Sequence, residues 1–441
     1  MPFAVYSDRV IVEGKEKPAT LIIDGEAIVE ILPGRGGSSL AMKVEDYTGS
    51  IVMPGLVDTH VHINEPGRTE WEGFQTATQA AAAGGITTVV DMPLNSSPVT
   101  TSLESFEKKL AACEKQLNVD CGFFGGIVPG NEKEIPRLIE RGILGFKSFL
   151  IDSGIEEFKN IEASDARIAA SEMVKYSVPW LFHAEMGDVT DVSDLDANDY
   201  FTYLKSRPKK LENDAVDFIL NLSNDFDCRM HIVHLSSAES LAAIEEARNR
   251  RLPVTIETCH HYLALCAEDI SRGSTSFKCA PPIREKSNRE ELWKGIKNGI
   301  IDFVVSDHSP CEPVLKEGDF MHAWGGISGL QFSLPLFMTS ASSRSMGIED
   351  ACRLLCEKPA KFVGLSKKGT IARNKDADLV IFDDKAAVTI NENNTLHRHK
   401  LSPYTGMTLQ GAVKKTMLRG EWVFSDREQL KGNRGCILLN H

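Results

Sequence analysis

The chain has 441 residues, of which 42% are hydrophobic and 25% are charged, and its formal net charge is −13. This is the composition of a globular protein with a large core, and the length allows one large barrel with a smaller module or two to three ordinary domains. The basic residues do not cluster, so the charge argues against nucleic acid or an anionic membrane surface as a partner.

The ten cysteines form no CxxC pair and stand in apolar runs, which predicts reduced thiols rather than disulfides or a zinc ribbon. The N-terminus has the build of neither a signal peptide nor a transit peptide. No apolar run reaches the length needed to span a membrane. We therefore predict a soluble, intracellular and cytoplasmic protein, with a peroxisomal location left open.

Residues 1–50 contain β-rich runs separated by glycine and acidic turn residues, and residues 376–441 have the same character. Neither end of the chain offers enough apolar surface to fold alone. We therefore predict that both ends pair into one composite β-sandwich domain, 1–52 with 368–441, which flanks a central domain of residues 53–367.

Between these ends, short apolar runs alternate with amphipathic helical segments. Strands that are almost wholly apolar and alternate with helices indicate a parallel sheet covered on both faces. The predicted strands are 55–63, 86–92, 121–128, 142–150, 178–185, 229–236, 253–261 and 301–308. Eight such units over roughly 250 residues predict an α/β protein with a (β/α)8 TIM barrel. A doubly wound open sheet is the alternative, but no GxGxxG turn follows any of these strands.

Polar residues stand at the ends of five of the predicted strands, where barrel enzymes carry their chemistry. They are His60 and His62, Lys147, His183, His231 and His234, and Asp307 with His308. His60 and His62 are two residues apart in a strand and therefore point to the same side. A core histidine satisfied by its neighbours explains any single one, but five strands ending in nitrogen or oxygen ligands favour one metal centre.

Lys147 stands in the apolar run GFKSFL. A lysine that packs its stem and reaches solvent is the simpler interpretation, yet an unpaired cation in this place would be expensive to desolvate. A lysine with a depressed pKa can instead take up CO₂ as a carbamate, an anionic oxygen ligand that bridges two metals. Four histidines, such a carbamate and one aspartate suit a pair of Zn²⁺ ions, which can activate water and polarise a carbonyl for hydrolysis.

The motifs VDTHVH, GFKSF, FHAE, HIVHLSS and SDHSP resemble, in this order, those of the cyclic amidohydrolases, a family that includes dihydroorotases, hydantoinases and allantoinases. The resemblance covers nearly the whole chain, including KDADLVIFD, which is similar to the strand with which these proteins re-enter their small β-domain. The ligand set that it implies is His60, His62, Lys147 and Asp307 at one metal, with His183, His234 and the shared Lys147 at the other. Periodicity cannot choose between His231 and His234; the family pattern favours His234 and leaves His231 a structural role. The family also implies a homotetramer.

The residues after His62 distinguish branches of this family. Dihydroorotases typically have an arginine that holds the substrate carboxylate where this chain has Asn64, and several have a histidine in place of Cys311. Residues 64–98 instead resemble the allantoinases, most of all in EPGRTEWEG and MPLNSSP. The resemblance implies hydrolysis of (S)-allantoin to allantoate, with Asp307 as the catalytic base that passes its proton to the departing ring nitrogen. A hydantoinase or dihydropyrimidinase is the alternative, and a non-catalytic dihydropyrimidinase-like assembly protein is less favoured.

The candidate substrate contacts are Asn64 and Ser309. For Ser309, the capping of a turn before Pro310 explains the residue as well as a substrate contact does. The loops CAPPIR and GGISG also occupy positions from which they could hydrogen-bond a ureide. No role follows from the sequence for Arg68, and none transfers from the family to His308 or to the pair His260–His261.

Overall fold

The structure is a computed structural model that describes residues 1–36, 42–427, 430 and 432–440. The β-strands are β1 (Phe3–Val12), β2 (Lys15–Asp24), β3 (Ala27–Pro33), β4 (Val44–Asp46), β5 (Ile51–Pro54), β6 (Leu56–Val61), β7 (Ile86–Asp91), β8 (Asp120–Phe123), β9 (Gly125–Gly126), β10 (Phe146–Phe149), β11 (Trp180–His183), β12 (Met230–Ile232), β13 (Val254–Cys259), β14 (Phe303–Val305), β15 (Leu379–Thr389), β16 (Thr408–Leu418) and β17 (Glu421–Ser425). The α-helices are α1 (Phe74–Ala83), α2 (Leu103–Cys113), α3 (Glu134–Arg141), α4 (Ala163–Met173), α5 (Tyr200–Ser206), α6 (Lys209–Asp225), α7 (Leu241–Asn249), α8 (His260–Ala264), α9 (Lys286–Lys297), α10 (Ser333–Ser342), α11 (Ile348–Cys352) and α12 (Lys358–Phe362).

Strands from both ends of the chain pair in one sheet, in the order β17-β16-β15-β5-β1-β2-β3, with β4 beside β1. The two ends meet where β5 pairs antiparallel with β15, so that Val52 lies opposite Ile381. Val5 and Leu21 from one end share a buried cluster with Met417 from the other. Each end of the chain thus supplies the apolar surface that the other lacks.

The remaining strands are parallel and follow one another along the chain, in a three-stranded sheet β6-β7-β8 and a six-stranded sheet β9 to β14. Only Phe124 separates β8 from β9, so the third predicted strand is present but split. A parallel bridge between Val61 and His308 brings the end of β6 beside the residues that follow β14. These parallel strands, alternating with helices, confirm the α/β class.

The observed strands are shorter than the predicted ones at their carboxyl ends. β12 ends at Ile232 and β14 ends at Val305, so His234 and Asp307 lie just beyond their strands. Both residues have left-handed backbone conformations, with φ of 39° for His234 and 44° for Asp307. Such conformations cost about 1–3 kcal/mol in a residue with a side chain and are found mostly at functional sites.

The cysteines and the helices were both the subject of sequence-based expectations. All ten cysteines are free thiols, and Cys436 is the one that is exposed. Among the described residues, no helix combines the length and the apolar character that crossing a bilayer requires.

Candidate metal centre

Two histidines and one aspartate converge at the end of β6. Nε2 of His60 lies 3.2 Å from Oδ1 of Asp307, and Nε2 of His62 lies 3.5 Å from the same oxygen. All three side chains are buried and could hold one metal ion. The alternation of the strand places both imidazoles on one side, and the bridge from Val61 to His308 brings Asp307 next to them.

The other nitrogen of each imidazole contacts the protein. Nδ1 of His60 lies 2.5 Å from a carboxylate oxygen of Glu257, and Nδ1 of His62 lies 3.3 Å from the side-chain amide nitrogen of Asn95. The contact with Glu257 occupies Nδ1 of His60, and its Nε2 faces Asp307. Metal-binding histidines are commonly oriented by a carboxylate in this way.

A second pair of imidazoles stands at the ends of β11 and β12. Nδ1 of His183 lies 3.0 Å from Nε2 of His234, and Nε2 of His183 lies 2.8 Å from a carboxylate oxygen of Glu185. Arg207 in turn holds Glu185 with two hydrogen bonds, and Phe149 stacks on the ring of His183 with centroids 4.5 Å apart. The ring centroids of His60 and His234 are 5.5 Å apart, so the two groups of side chains adjoin.

Lys147 of β10 is 1% exposed. Burial lowers its pKa to about 7, although the charges of Asp307 and Glu257 act in the opposite direction. No carboxylate of the described residues forms an ion pair with its amine. Burial lowers the pKa values of His183 and His234, and the charge of Lys147 lowers both further. The amine therefore acts on the second pair of imidazoles as well as on Asp307.

The charge state of Asp307 follows from its neighbours. Burial alone raises the pKa of this carboxyl, but the adjacent His60 and His62 more than reverse the effect and hold it well below its usual range. Asp307 is therefore a carboxylate at neutral pH and can accept a proton.

The structure places His231 away from these ligand nitrogens. Its Nδ1 lies 2.8 Å from the hydroxyl of Thr255, its Nε2 lies 3.2 Å from the second carboxylate oxygen of Glu257, and its ring stacks on Phe303. The hydrogen bond to Thr255, the proximity to Glu257 and the stacking on Phe303 support the structural role expected for it.

The candidate substrate contacts are buried beside the centre. The side-chain nitrogen of Asn64 donates to the carbonyl oxygen of Pro310 at 3.1 Å, whereas its side-chain oxygen is buried without a hydrogen-bond partner. That oxygen and the second N–H of the amide remain for a ligand. Ser309 is 7% exposed, and its backbone nitrogen donates to Ile327 at 3.0 Å.

Sequence reasoning missed several residues that contact the centre. Glu257 is the clearest case, because it is an acidic residue within the largely buried strand β13 and is itself fully buried. Glu185 follows His183 by two residues, so its presence on the same side carried a weak signal. His261 was not assigned a role, yet one of its ring nitrogens, the thiol of Cys259 and an oxygen of Asp307 all lie within 4.8 Å of one another.

His308 has its own partners beside the centre. Its Nε2 lies 3.3 Å from a carboxylate oxygen of the buried Glu72, and the backbone nitrogen of Gly329 donates to its Nδ1 at 3.3 Å. Its carbonyl oxygen accepts from the backbone nitrogen of His62 at 2.8 Å. His308 thus fixes the backbone at the end of β6 and is turned away from the ligand nitrogens.

The comparisons with known proteins agree with this geometry. The model of the amidohydrolase family matches residues 51–423. The chain therefore belongs to the amidohydrolase family, as the motifs predicted.

Similar proteins of known name narrow the class. The chain is 43% identical to the allantoinase of Saccharomyces cerevisiae, with 96% of this chain and 95% of that protein covered. It is 41% identical to the allantoinase of Streptomyces avermitilis at the same coverage, and 42% identical to that of Arabidopsis thaliana, with 90% and 82% covered. Among solved structures, the L-hydantoinase (dihydropyrimidinase) of Arthrobacter aurescens matches with a TM-score of 0.94 and 29% identity over 99% of both chains.

Proposed function

We propose that this protein is an allantoinase, which opens the hydantoin ring of allantoin with water to give allantoate. The observation that carries the proposal is the identity of 41–43% with three curated allantoinases over at least 90% of the chain. The protein is a hydrolase that acts on cyclic amides, as its family and these relatives indicate. The hydantoinase alternative has weaker support, because the hydantoinase structures reach 29% identity or less.

The same proposal includes a domain arrangement. The parallel strands β6 to β14 form a closed (β/α)8 barrel within residues 53–367, and the sheet of both chain ends belongs to a small β-sandwich domain of residues 1–52 and 368–441. The parallel pairings and the bridge between Val61 and His308 support the closed barrel. The pairing of β5 with β15 supports the composite domain.

The proposed cofactors are two divalent ions, with Zn²⁺ suited by the nitrogen and carboxylate ligands. The ligands would be His60, His62, Lys147 and Asp307 at one ion, with His183, His234 and Lys147 at the other. In the first group, Glu257 contacts Nδ1 of His60, and Nε2 of the same ring remains for an ion. In the second group, Glu185 contacts Nε2 of His183, and Nδ1 of that ring remains. These remaining ring nitrogens fit the assignment. When bound, the ions polarise the carbonyl and lower the pKa of water.

Lys147 would supply an oxygen bridge as a carbamate. A pKa of about 7 leaves much of the amine neutral under mildly alkaline conditions. A neutral amine adds to CO₂, forming an N–C bond and releasing one proton. The product is a carboxylate-like group at the end of β10, and the positive charge that burial disfavours is lost.

Asp307 would move the proton. Water adds its oxygen to the ring carbonyl carbon while Asp307 takes a proton from the water. Asp307 then gives that proton to the ring nitrogen, the carbon–nitrogen bond breaks, and the electron pair of the bond stays on nitrogen. The low pKa of Asp307 keeps its carboxyl ionised at neutral pH, and the ionised form is the one that can take up a proton.

A substrate panel tests the proposed function. Purified, zinc-loaded protein is assayed with allantoin, dihydroorotate, dihydrouracil and a 5-substituted hydantoin. Allantoin should have the highest kcat/KM, and dihydroorotate should be poor because Asn64 offers no cation to its carboxylate, a deficit of about 2–5 kcal/mol. Faster opening of dihydrouracil or of the hydantoin would assign the protein to the hydantoinases instead.

The family resemblance also leads us to propose a homotetramer, located in the cytoplasm. Light scattering on the purified full-length chain, coupled to gel filtration, measures its molecular mass in solution. A mass four times that of the chain is expected, whereas a monomer mass would contradict this part of the proposal.

A further inference from the structure

We propose that His261 is a catalytic residue that contacts the substrate: one of its ring nitrogens accepts the N–H of the ring nitrogen that leaves. This hydrogen bond holds the leaving nitrogen of the substrate in front of Asp307. The inference rests on the proposed ring-opening function and adds a contact that neither the family motifs nor the metal ligands supply.

His261 adjoins Asp307 in a group separate from that of His60 and His62. It is the second residue of the short helix α8, which follows β13 directly, and it is completely buried. A ring nitrogen of His261 lies within 4.8 Å of an oxygen of Asp307, but the two groups make no hydrogen bond. Tyr262 packs edge-on against its ring at 4.2 Å, and the hydroxyl of Tyr262 is tied to the carbonyl of Pro281 at 2.6 Å. The position of the imidazole is therefore set by packing.

The hydrogen-bonding state of His261 is unlike that of the other buried histidines. Among the described residues, it alone has both ring nitrogens buried without a hydrogen-bond partner. His60 and His183, in contrast, each have one nitrogen held by a glutamate. A buried polar group without a partner is costly and calls for an explanation, such as an absent ligand. His261 therefore offers an acceptor and a donor that no protein group uses.

The separation of His261 and Asp307 allows one ligand atom to be shared between them. Two hydrogen bonds of about 2.85 Å that meet at one nitrogen with a tetrahedral angle span about 4.7 Å. The 4.8 Å limit on the separation of the two groups agrees with this span. A nitrogen atom in the gap can thus bond to His261 on one side and to Asp307 on the other.

The chemistry of the leaving nitrogen matches these two neighbours. A neutral imidazole has one bare nitrogen and one N–H, and the bare nitrogen can accept the N–H of the substrate ring. After water has added to the carbonyl carbon, the nitrogen has a lone pair, and the bond to His261 turns that lone pair toward Asp307. Asp307 transfers the proton to the lone pair and the carbon–nitrogen bond breaks with its electrons on nitrogen, while His261 keeps its own proton throughout.

Variants at position 261 test the contact. His261→Phe keeps a buried ring but removes both nitrogens, and His261→Gln restores an acceptor and a donor. His260→Phe is the matched control, since His260 is a buried neighbour on the same turn but does not belong to the group around Asp307. We expect kcat for allantoin to fall about 100-fold or more in His261→Phe, to recover at least partly in His261→Gln, and to change little in His260→Phe. Zinc content should be equal in all of them.

The ratio of the activities with two substrates distinguishes the loss of a substrate contact from misfolding. This ratio does not depend on the folded fraction of a variant. Allantoin and its derivative methylated at the leaving ring nitrogen are compared within each protein. The wild type should prefer allantoin strongly, since the derivative lacks the N–H, and this preference should shrink in His261→Phe. An unchanged ratio, a near-normal kcat, or a loss of zinc in His261→Phe would each overturn the inference. If the wild type does not open allantoin, the proposed function fails first, and the same ratio is then measured with the cyclic amide that it does open.

Discussion

Two of the buried lysines, Lys368 and Lys147, have opposite surroundings. Lys368 lies between β8 and the sheet that both chain ends form (β1 to β5 with β15 to β17, the chain-end sheet). Its amine is 2.7 Å from Asp120, 2.8 Å from Asp378 and 2.9 Å from Asp376. Burial lowers the pKa of Lys368, but the three carboxylates reverse this effect and raise it above the usual value. Lys147 is as deeply buried and has no such partners, so its pKa falls to about 7.

The difference separates a structural charge from a reactive one. A buried cation surrounded by carboxylates is kept charged and holds elements together, whereas a buried amine without them is held close to neutrality. Buried ionisable groups whose pKa is shifted strongly toward the neutral form cluster at functional sites. Four substitutions test this contrast, and they are ordered by the expected loss of activity.

Lys147→Ala should have the largest effect. Loss of the bridge removes the ligand common to both proposed ions, so zinc and activity should fall together, with activity reduced by about 1,000-fold or more. Elemental analysis and the allantoin assay measure the two quantities on the same sample. Short-chain carboxylic acids should restore part of both by occupying the vacated place. Full activity in Lys147→Ala would mean that the bridging group is elsewhere.

Asp307→Asn should separate chemistry from metal binding. An amide cannot accept the proton from water, so kcat should fall by about 100- to 10,000-fold, while much of the zinc remains on the histidines. Zinc content and kcat are measured against the wild type prepared in the same way. Near-normal turnover would remove Asp307 from the role of base.

Glu257→Gln should have an intermediate effect. The glutamine can still contact Nδ1 of His60 but no longer carries the negative charge that orients and polarises the imidazole. Loss of such a partner typically weakens metal affinity by about 10- to 100-fold. Competition with a chelator measures the affinity, and Glu245→Gln, a change in the partly exposed helix α7, is the control. Equal affinities in wild type and Glu257→Gln would show that His60 needs no such support.

Lys368→Met should leave the activity of the folded protein almost unchanged and lower its stability. Removing the cation leaves the buried Asp378 without its main partner and Asp120 with Arg419 alone, at a cost of about 3–5 kcal/mol in the free energy of unfolding. Denaturant titration measures this cost, and the allantoin assay below the transition measures kcat. A large fall in kcat with unchanged stability would contradict the structural role of Lys368, and with it the contrast between the two lysines.

The sequence predicted the parts of the site that depend on local pattern. Apolar runs and residue alternation placed His60, His62, Lys147 and His183 at strand ends. Alternation failed to choose between His231 and His234 for a physical reason: β12 ends at Ile232, so His234 lies outside the strand, in a left-handed conformation that no periodicity describes.

Contacts between distant segments could not be predicted in this way. Glu257 contacts His60, from which it is separated by 197 positions in the sequence. A single acidic residue in a buried strand does not indicate which distant residue it will contact. The chain-end sheet shows the same limit, since its two halves were expected to pair, but the register of Val52 with Ile381 depends on tertiary packing. Local sequence pattern predicts the strands and helices, whereas the contacts between distant residues depend on how these elements pack.

The sheet formed by the two chain ends has a consequence for biosynthesis. On the ribosome, β5 emerges early, but β15, the strand that covers its open edge, is translated only after all the parallel strands. Throughout that interval the nascent protein exposes an unpaired strand edge, which is a template for aggregation. A premature stop codon just before residue 379 would release a product with that edge permanently open. We expect such truncated products to depend on chaperones and to be degraded, even though every proposed metal ligand has already been translated.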